Sequence, residues 1–241
     1  MSNNETLLSV TSAHLNTGLR GIPVGTCRTS FVTPTEGVHY CGYPISELAA
    51  LDVEDVIYLL FNKELPTSEQ SAAFRADLTA RGALPEGLDA VYAALPREGH
   101  PMDWLSVGLH TIGMADTTGD WMEDALNLVA RMPRVMGLLF RYREGRTDGI
   151  PADDTSLGLV DRFIATLDPE DVDRSVMREV LNAYLVLHLD HGGGNLSTFT
   201  GKATASGKAT LYSSMASAMN SLSGPLHGRA NQSCLEFVLG I

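Results

Sequence analysis

The chain has 241 residues, 44% of them hydrophobic, and its 17 Lys and Arg stand against 29 Asp and Glu for a net charge of −12. That length suffices for a substantial core in one domain, and the acidic balance, with no basic stripe interleaved with aromatics, argues against a nucleic-acid surface. An acidic protein that binds an anion must gather its few cations locally, so single Arg and Lys residues carry more weight than the net charge.

Cys27, Cys41 and Cys234 have no CxxC spacing and are odd in number, which makes a poor disulfide framework and points to ordinary thiols in a reducing compartment. The start "MSNNETLLSV" lacks the basic flank or Arg-rich pattern of a targeting segment, and runs such as "VIYLLF" fall short of a bilayer span. The expectation is a soluble, cytoplasmic protein without a membrane segment.

In chain order, "TCRTSFVTPTEGVHYCGYPI" offers two short β-prone runs around the turn residues Pro34 to Gly37, predicting one small hairpin as the only sheet. The period then becomes helical. Val53, Val56, Ile57, Leu60 and Phe61 share a helix face, with Asp52 as N-cap and a stop before Pro66. Thr67 and Gln70 form a capping-box pair that starts the next helix. Further helices are predicted over "HPMDWLSVGLHTIG", over "WMEDALNLVARMPRVMGLLFRYREG" with a break or kink at Pro133, and over "SLGLVDRFIATLD". "DPEDVDRSVMREVLNAYLVLHLDH" follows, ended by "GGGN". The Ala-, Ser- and Gly-rich run "LSTFTGKATASGKATLYSSMASAMNSLSG" predicts close helix packing, in a core or across a subunit interface.

Of the seven histidines, His14, His39, His100 and His110 read as surface or satisfied core positions, His110 on a buried helix face. The others have unusual surroundings. In "LHLDHGGGNLST", His188 and His191 are three apart, placing them on one helix face, and the glycines let the backbone turn close to a ligand. Asn195 adds an amide beyond the glycines. Three readings stand here: a metal site, although zinc would need a third ligand at recognisable spacing; a helix C-cap with a buried histidine; or a carboxylate or oxyanion site. In "SGPLHGRANQSCLEF", Gly224-Pro225 ends one helix and His227 stands near the start of another, where the positive end of the macrodipole disfavours a charged imidazole. A neutral imidazole offering an N–H to a carbonyl oxygen suits enolisation, with Gly228 leaving room for a substrate.

Together "DHGGGNLSTFT" and "AMNSLSGPLHGRANQ" closely resemble the citrate synthase family. The resemblance extends upstream, in the family's order, to "YREG", "HPMDWLSVGLHTIG", "EGVHYCGYPISELA" with "VIYLLFNKELPT", and "GLRGIPVGT". It implies a mainly α fold, a large helical domain with a small N-terminal β-hairpin, and condensation of acetyl-CoA with oxaloacetate to citrate and CoA, as in the tricarboxylic acid cycle. By motif His227 resembles the catalytic histidine that donates to the enol. His191 and Asn195 fall in the oxaloacetate-binding stretch, supported by His188 from one turn earlier, and Arg143 of "YREG" lies near a segment that contributes to the CoA site. The resemblance also implies a homodimer or higher oligomer and no metal or redox cofactor.

Departures accompany it. The family's smaller closing domain, with a further catalytic histidine, the aspartate base and carboxylate-binding arginines, has no counterpart in residues 1–241, so the resemblance implies an incomplete large domain, nearly inactive alone. Cys41 replaces a basic residue and Gly192 an often acidic one. Two alternatives stand beside citrate synthase: a 2-methylcitrate synthase using propionyl-CoA, which differs by one methylene, and a truncated, non-catalytic paralogue serving assembly or regulation.

Overall fold

A computed structural model describes residues 6–17, 22–23, 25–228 and 230–240. Part of the family-like "GLRGIPVGT" run lies outside the described residues, as do the first residues of the chain and the Cys234 side chain.

The predicted hairpin forms from β1 (Ser30–Thr33) and β2 (Gly37–Tyr40), antiparallel with Ser30 opposite Tyr40. It is not the whole sheet: a two-residue strand β3 (Tyr43–Pro44) pairs with β2. Cys41 and Gly42 both have positive φ, 50° and 95°, which is the backbone that a two-residue hairpin turn needs. A cysteine in that position carries no turn signal in the sequence, so the third strand was not legible.

Among the described residues the rest is helical. A single turn, α1 (Ile45–Leu48), leads to α2 (Val53–Asn62), which buries Val53, Val56 and Ile57 as the periodicity predicts. Asp52 stands at its N-cap without a side-chain cap bond; its carboxylate instead pairs with Arg75 at 3.2 Å and Arg178 at 3.5 Å. The helix ends three residues before Pro66, at Lys63 in the left-handed region (φ 67°). Both bonds of the Thr67–Gln70 capping box start α3 (Ser68–Arg81). The short α4 (Leu88–Ala94) was not predicted; α5 (Pro101–Ala115) was, with the His100 ring accepting from the Met102 amide at 3.2 Å.

The longest helix, α6 (Trp121–Glu144), runs through Pro133, so of the predicted break or kink the break does not form. Proline within a helix costs about 3 kcal/mol, and burial on both sides of it offsets that cost. Leu128, Val135, Leu138 and Leu139 pack with Tyr92, Trp104, Ile112 and Tyr212 in one core. Val129 faces a second, built from Tyr40, Val56, Ile57, Val160 and Ile164. Then come α7 (Leu159–Leu167), α8 (Arg174–His188), α9 (Leu196–Ser206), α10 (Leu211–Leu222) and α11 (Ala230–Leu239).

Buried arginines tie the connections to the helices. Arg162 on α7, its side chain 3% exposed, pairs with Asp153 at 2.7 Å and donates to the Ala130 and Gly82 carbonyls, each at 2.6 Å. That joins α6, the end of α3 and the loop before α7 at one guanidinium, whose fork geometry suits several acceptors at once.

The small-residue run forms two helices, α9 and α10, which pack on each other and, through α10, on α5. The close packing predicted for it is internal to the chain. A Cβ on Gly113 of α5 would lie 2.5 Å from the Tyr212 Cβ. Gly113→Ala is therefore expected to lower stability by about 1–3 kcal/mol, even after the roughly 1 kcal/mol that Ala gains over Gly in a helix. A urea or thermal midpoint that does not fall would show that α10 can step back from α5.

Candidate active site

Helix α8 ends at His188, and the chain crosses to α9 through Leu189–Gly194 with Gly192 at φ 83°, a backbone that favours glycine. His191 therefore lies beyond the helix, correcting the expectation that it shares a helix face with His188. The turn brings both histidines to one cavity of about 880 Å³, along with Asn195 and His227. His188 is exposed rather than buried; its Nδ1–H donates to the Tyr184 carbonyl at 2.7 Å, and its ring stacks on Tyr184 at 4.1 Å. The C-cap reading is thus met in part, with Nε2 left for other use.

Asp190 and Tyr40 hold the turn. The Asp190 carboxylate accepts from the Gly192 amide at 2.8 Å and from the Thr29 hydroxyl. The buried Tyr40 hydroxyl donates to the Val186 carbonyl at 3.0 Å and accepts from the Asp190 amide at 3.3 Å. Burial pushes the Tyr40 phenol above its usual range, so it stays a donor at neutral pH.

Asn195 is the N-cap of α9. Its Oδ1 accepts from the Thr198 amide at 2.8 Å and from the Ser197 hydroxyl at 2.7 Å, while its amide NH₂ donates to the Gly192 carbonyl at 3.2 Å. The side chain chiefly shapes the loop, keeping one N–H for other use. Ser197, which the sequence reading missed, also lies 3.2 Å from His227 Nε2. One hydroxyl proton thus faces two acceptors. Directed at Asn195, it requires Nε2–H on His227; directed at His227, it leaves the neutral ring's proton on Nδ1. The available signal was its place two residues after an N-cap asparagine.

His227 stands in the turn between α10 and α11, three residues before Ala230, its amide bonded to the Gly224 carbonyl at 3.0 Å. Gly228 does not leave space for a substrate: its amide donates to the Leu222 carbonyl at 2.9 Å, and a Cβ there would meet that oxygen at 2.6 Å. Arg143 is not among the residues lining the cavity; its Nε donates to the Gly99 carbonyl at 3.1 Å, tying the end of α6 to the start of α5. Of the histidines set aside, His14 caps a turn, His39 stacks on Phe31, and His110 is exposed, not buried.

Such a mainly helical chain, with a histidine-lined cleft built where helices end, has the fold of solved citrate synthases. The structure from Pyrobaculum aerophilum matches with a TM-score of 0.81 and 27% identity, over 93% of this chain and 59% of that one. The family model "Citrate synthase, C-terminal domain" matches residues 18–241, and the chain belongs to the citrate synthase family. A citrate synthase of Haloferax volcanii is 34% identical over 94% of this chain and 62% of its own length. A mitochondrial 2-methylcitrate synthase of Yarrowia lipolytica is 29% identical over 92% of this chain and 52% of its own. The chain thus spans little more than half the length of these relatives. No helix among the described residues is long and apolar enough to cross a membrane.

Beside the site, Cys27 lines a second cavity of about 440 Å³ with His191, Gly193 and Asn195. Slight burial would raise its thiol, but hydrogen bonding with Thr29 and Ser30 outweighs this and brings it to about 7. Burial, reinforced by the Asp190 charge, pushes the Cys41 thiol up. Since the thiolate is the nucleophile, alkylation of Cys27 by iodoacetamide, followed by peptide mapping, should rise with pH to half its maximal rate near 7 and precede Cys41. Cys41 reacting first would contradict this ordering.

Proposed function

We propose that this chain forms the oxaloacetate-binding and enol-stabilising part of an enzyme condensing acetyl-CoA with oxaloacetate to citrate and CoA. The observation that carries the reading is the Ser197 hydroxyl, within hydrogen-bonding distance of both His227 Nε2 and Asn195, beside His188 and His191 in one cavity. When the Ser197 hydroxyl turns from Asn195 to donate to Nε2, the neutral His227 ring carries its proton on Nδ1 and presents that N–H to a thioester oxygen. A base removes a methyl proton, and the electron pair moves onto that oxygen, stabilised by the imidazole N–H. The enol carbon then attacks the keto carbon of oxaloacetate, whose oxygen takes up a proton, and hydrolysis of the thioester releases CoA.

Asp190 is the only carboxylate among the described residues lining the cavity, and both its oxygens are engaged by Gly192 and Thr29. It suits holding the turn rather than removing a proton, so the base comes from elsewhere in the enzyme and residues 1–241 alone turn over slowly. A role for Arg143 at CoA would require a neighbouring subunit, since it stands outside this cleft. Dimerisation is supported by α8, where Val176, Val180, Tyr184 and Leu187 are exposed on one face. The 2-methylcitrate synthase relative keeps propionyl-CoA open as the thioester.

The test is thiol release from acetyl-CoA and from propionyl-CoA with oxaloacetate, by residues 1–241 and by the chain extended through whatever its gene encodes downstream. The extended protein should be active and the shorter one nearly inactive; no thiol release from either would sink the reading, and the ratio of the two kcat/KM values identifies the thioester. In the active protein Ser197→Ala is expected to lower kcat about 10–100-fold, the range for partners that fix a histidine tautomer, with KM for oxaloacetate little changed. An unaltered kcat would exclude Ser197 as the positioning residue for His227.

A further inference from the structure

Among the described residues lining the cavity, Lys202 on α9 is the only lysine or arginine. Its ammonium is brought there by specific geometry. Nζ donates to the Thr26 carbonyl at 3.4 Å, and it lies 3.2 Å from where a Gly25 Cβ would stand and 3.5 Å from where a Gly193 Cβ would stand. Side chains at those glycines would crowd it away from the histidine-bearing turn. One N–H is used on Thr26, which leaves two of the ammonium's three donors for a ligand. In a chain with net charge −12, whose cavity already carries the Asp190 carboxylate, a dianionic ligand needs a local counter-charge.

We propose that Lys202 is a specificity-determining residue of this site, holding one carboxylate of the small 2-oxo dicarboxylate beside the Gly192–Gly194 turn. This rests on the reading of the cavity as the oxaloacetate site. The imidazoles serve the keto end and the thioester, and Lys202 supplies a positive charge to one carboxylate from this side of the cleft, beside the arginines that the family resemblance assigns to the closing domain. It binds substrate and does not move a proton.

Gln at position 202 keeps an N–H for the Thr26 carbonyl and removes the charge, whereas Arg keeps both. In the full-length protein, oxaloacetate binding by calorimetry and steady-state kinetics are measured for wild type, Lys202→Gln and Lys202→Arg. Lys202→Gln should weaken oxaloacetate binding and raise its KM roughly tenfold, as expected on losing a charge-assisted hydrogen bond. The kcat and the KM for acetyl-CoA should stay within about twofold, the thermal midpoint should hold, and Lys202→Arg should restore most of the affinity, which a merely structural tether would not require. Unchanged oxaloacetate binding in Lys202→Gln, or an effect on the KM for acetyl-CoA instead, overturns the assignment while leaving the proposed function standing. A wild-type protein that binds no oxaloacetate overturns both.

Discussion

The cleft depends on how closely α10 can lie against α5 on one side and α9 on the other. Gly113 lets the Tyr212 side chain descend onto the α5 backbone, and a Cβ on Gly201 would stand 3.4 Å from both Ala218 Cβ and the Ser214 carbonyl. Small residues remove the bulk that would keep these helices apart. The turn carrying His227 leaves the end of α10, while Ser197 and Lys202 project from α9. Their mutual reach is therefore set by this packing.

Around that packed pair the scaffold uses guanidinium groups where other folds use a sheet. Arg162, Arg131, Arg134 and Arg141 donate to carbonyls of Ala130, Ala83, Pro151 and Arg146, respectively. These bonds satisfy backbone groups that would otherwise be left unpaired where helices end and loops are buried. Four of the 17 Lys and Arg residues of an acidic chain thus serve its architecture, while Lys202 lines the cleft.

The long helices were legible because their signals are local: the face of α2 and the capping box of α3 each lie within a few residues. Helix α4 is short, and β3 follows a turn whose first residue is a cysteine, so neither left a strong pattern. No break forms at Pro133 because its tolerance comes from burial against distant parts of the chain. In the site, the glycine run and His227 marked the right segments, but the helix end at His188 is held by Tyr40 and Asp190, which pair with parts of the chain far away in sequence. Gly228 shows the same limit: the glycine signalled close approach, and only the structure identified Leu222 as what approaches.

The turn from Leu189 to Gly194 is held by different neighbours at its two ends. Its first residues hang from Tyr40 of the small sheet and from Thr29 just before it, and its Gly192 carbonyl is tied to the start of α9 by the Asn195 amide. His191 lies between these anchorages. A shear of the sheet against α9 would be concentrated in these few residues and would rotate His191 against His188 and His227. The position of His191 relative to the other two imidazoles is thus set jointly by the sheet and by α9, two parts of the chain far apart in sequence.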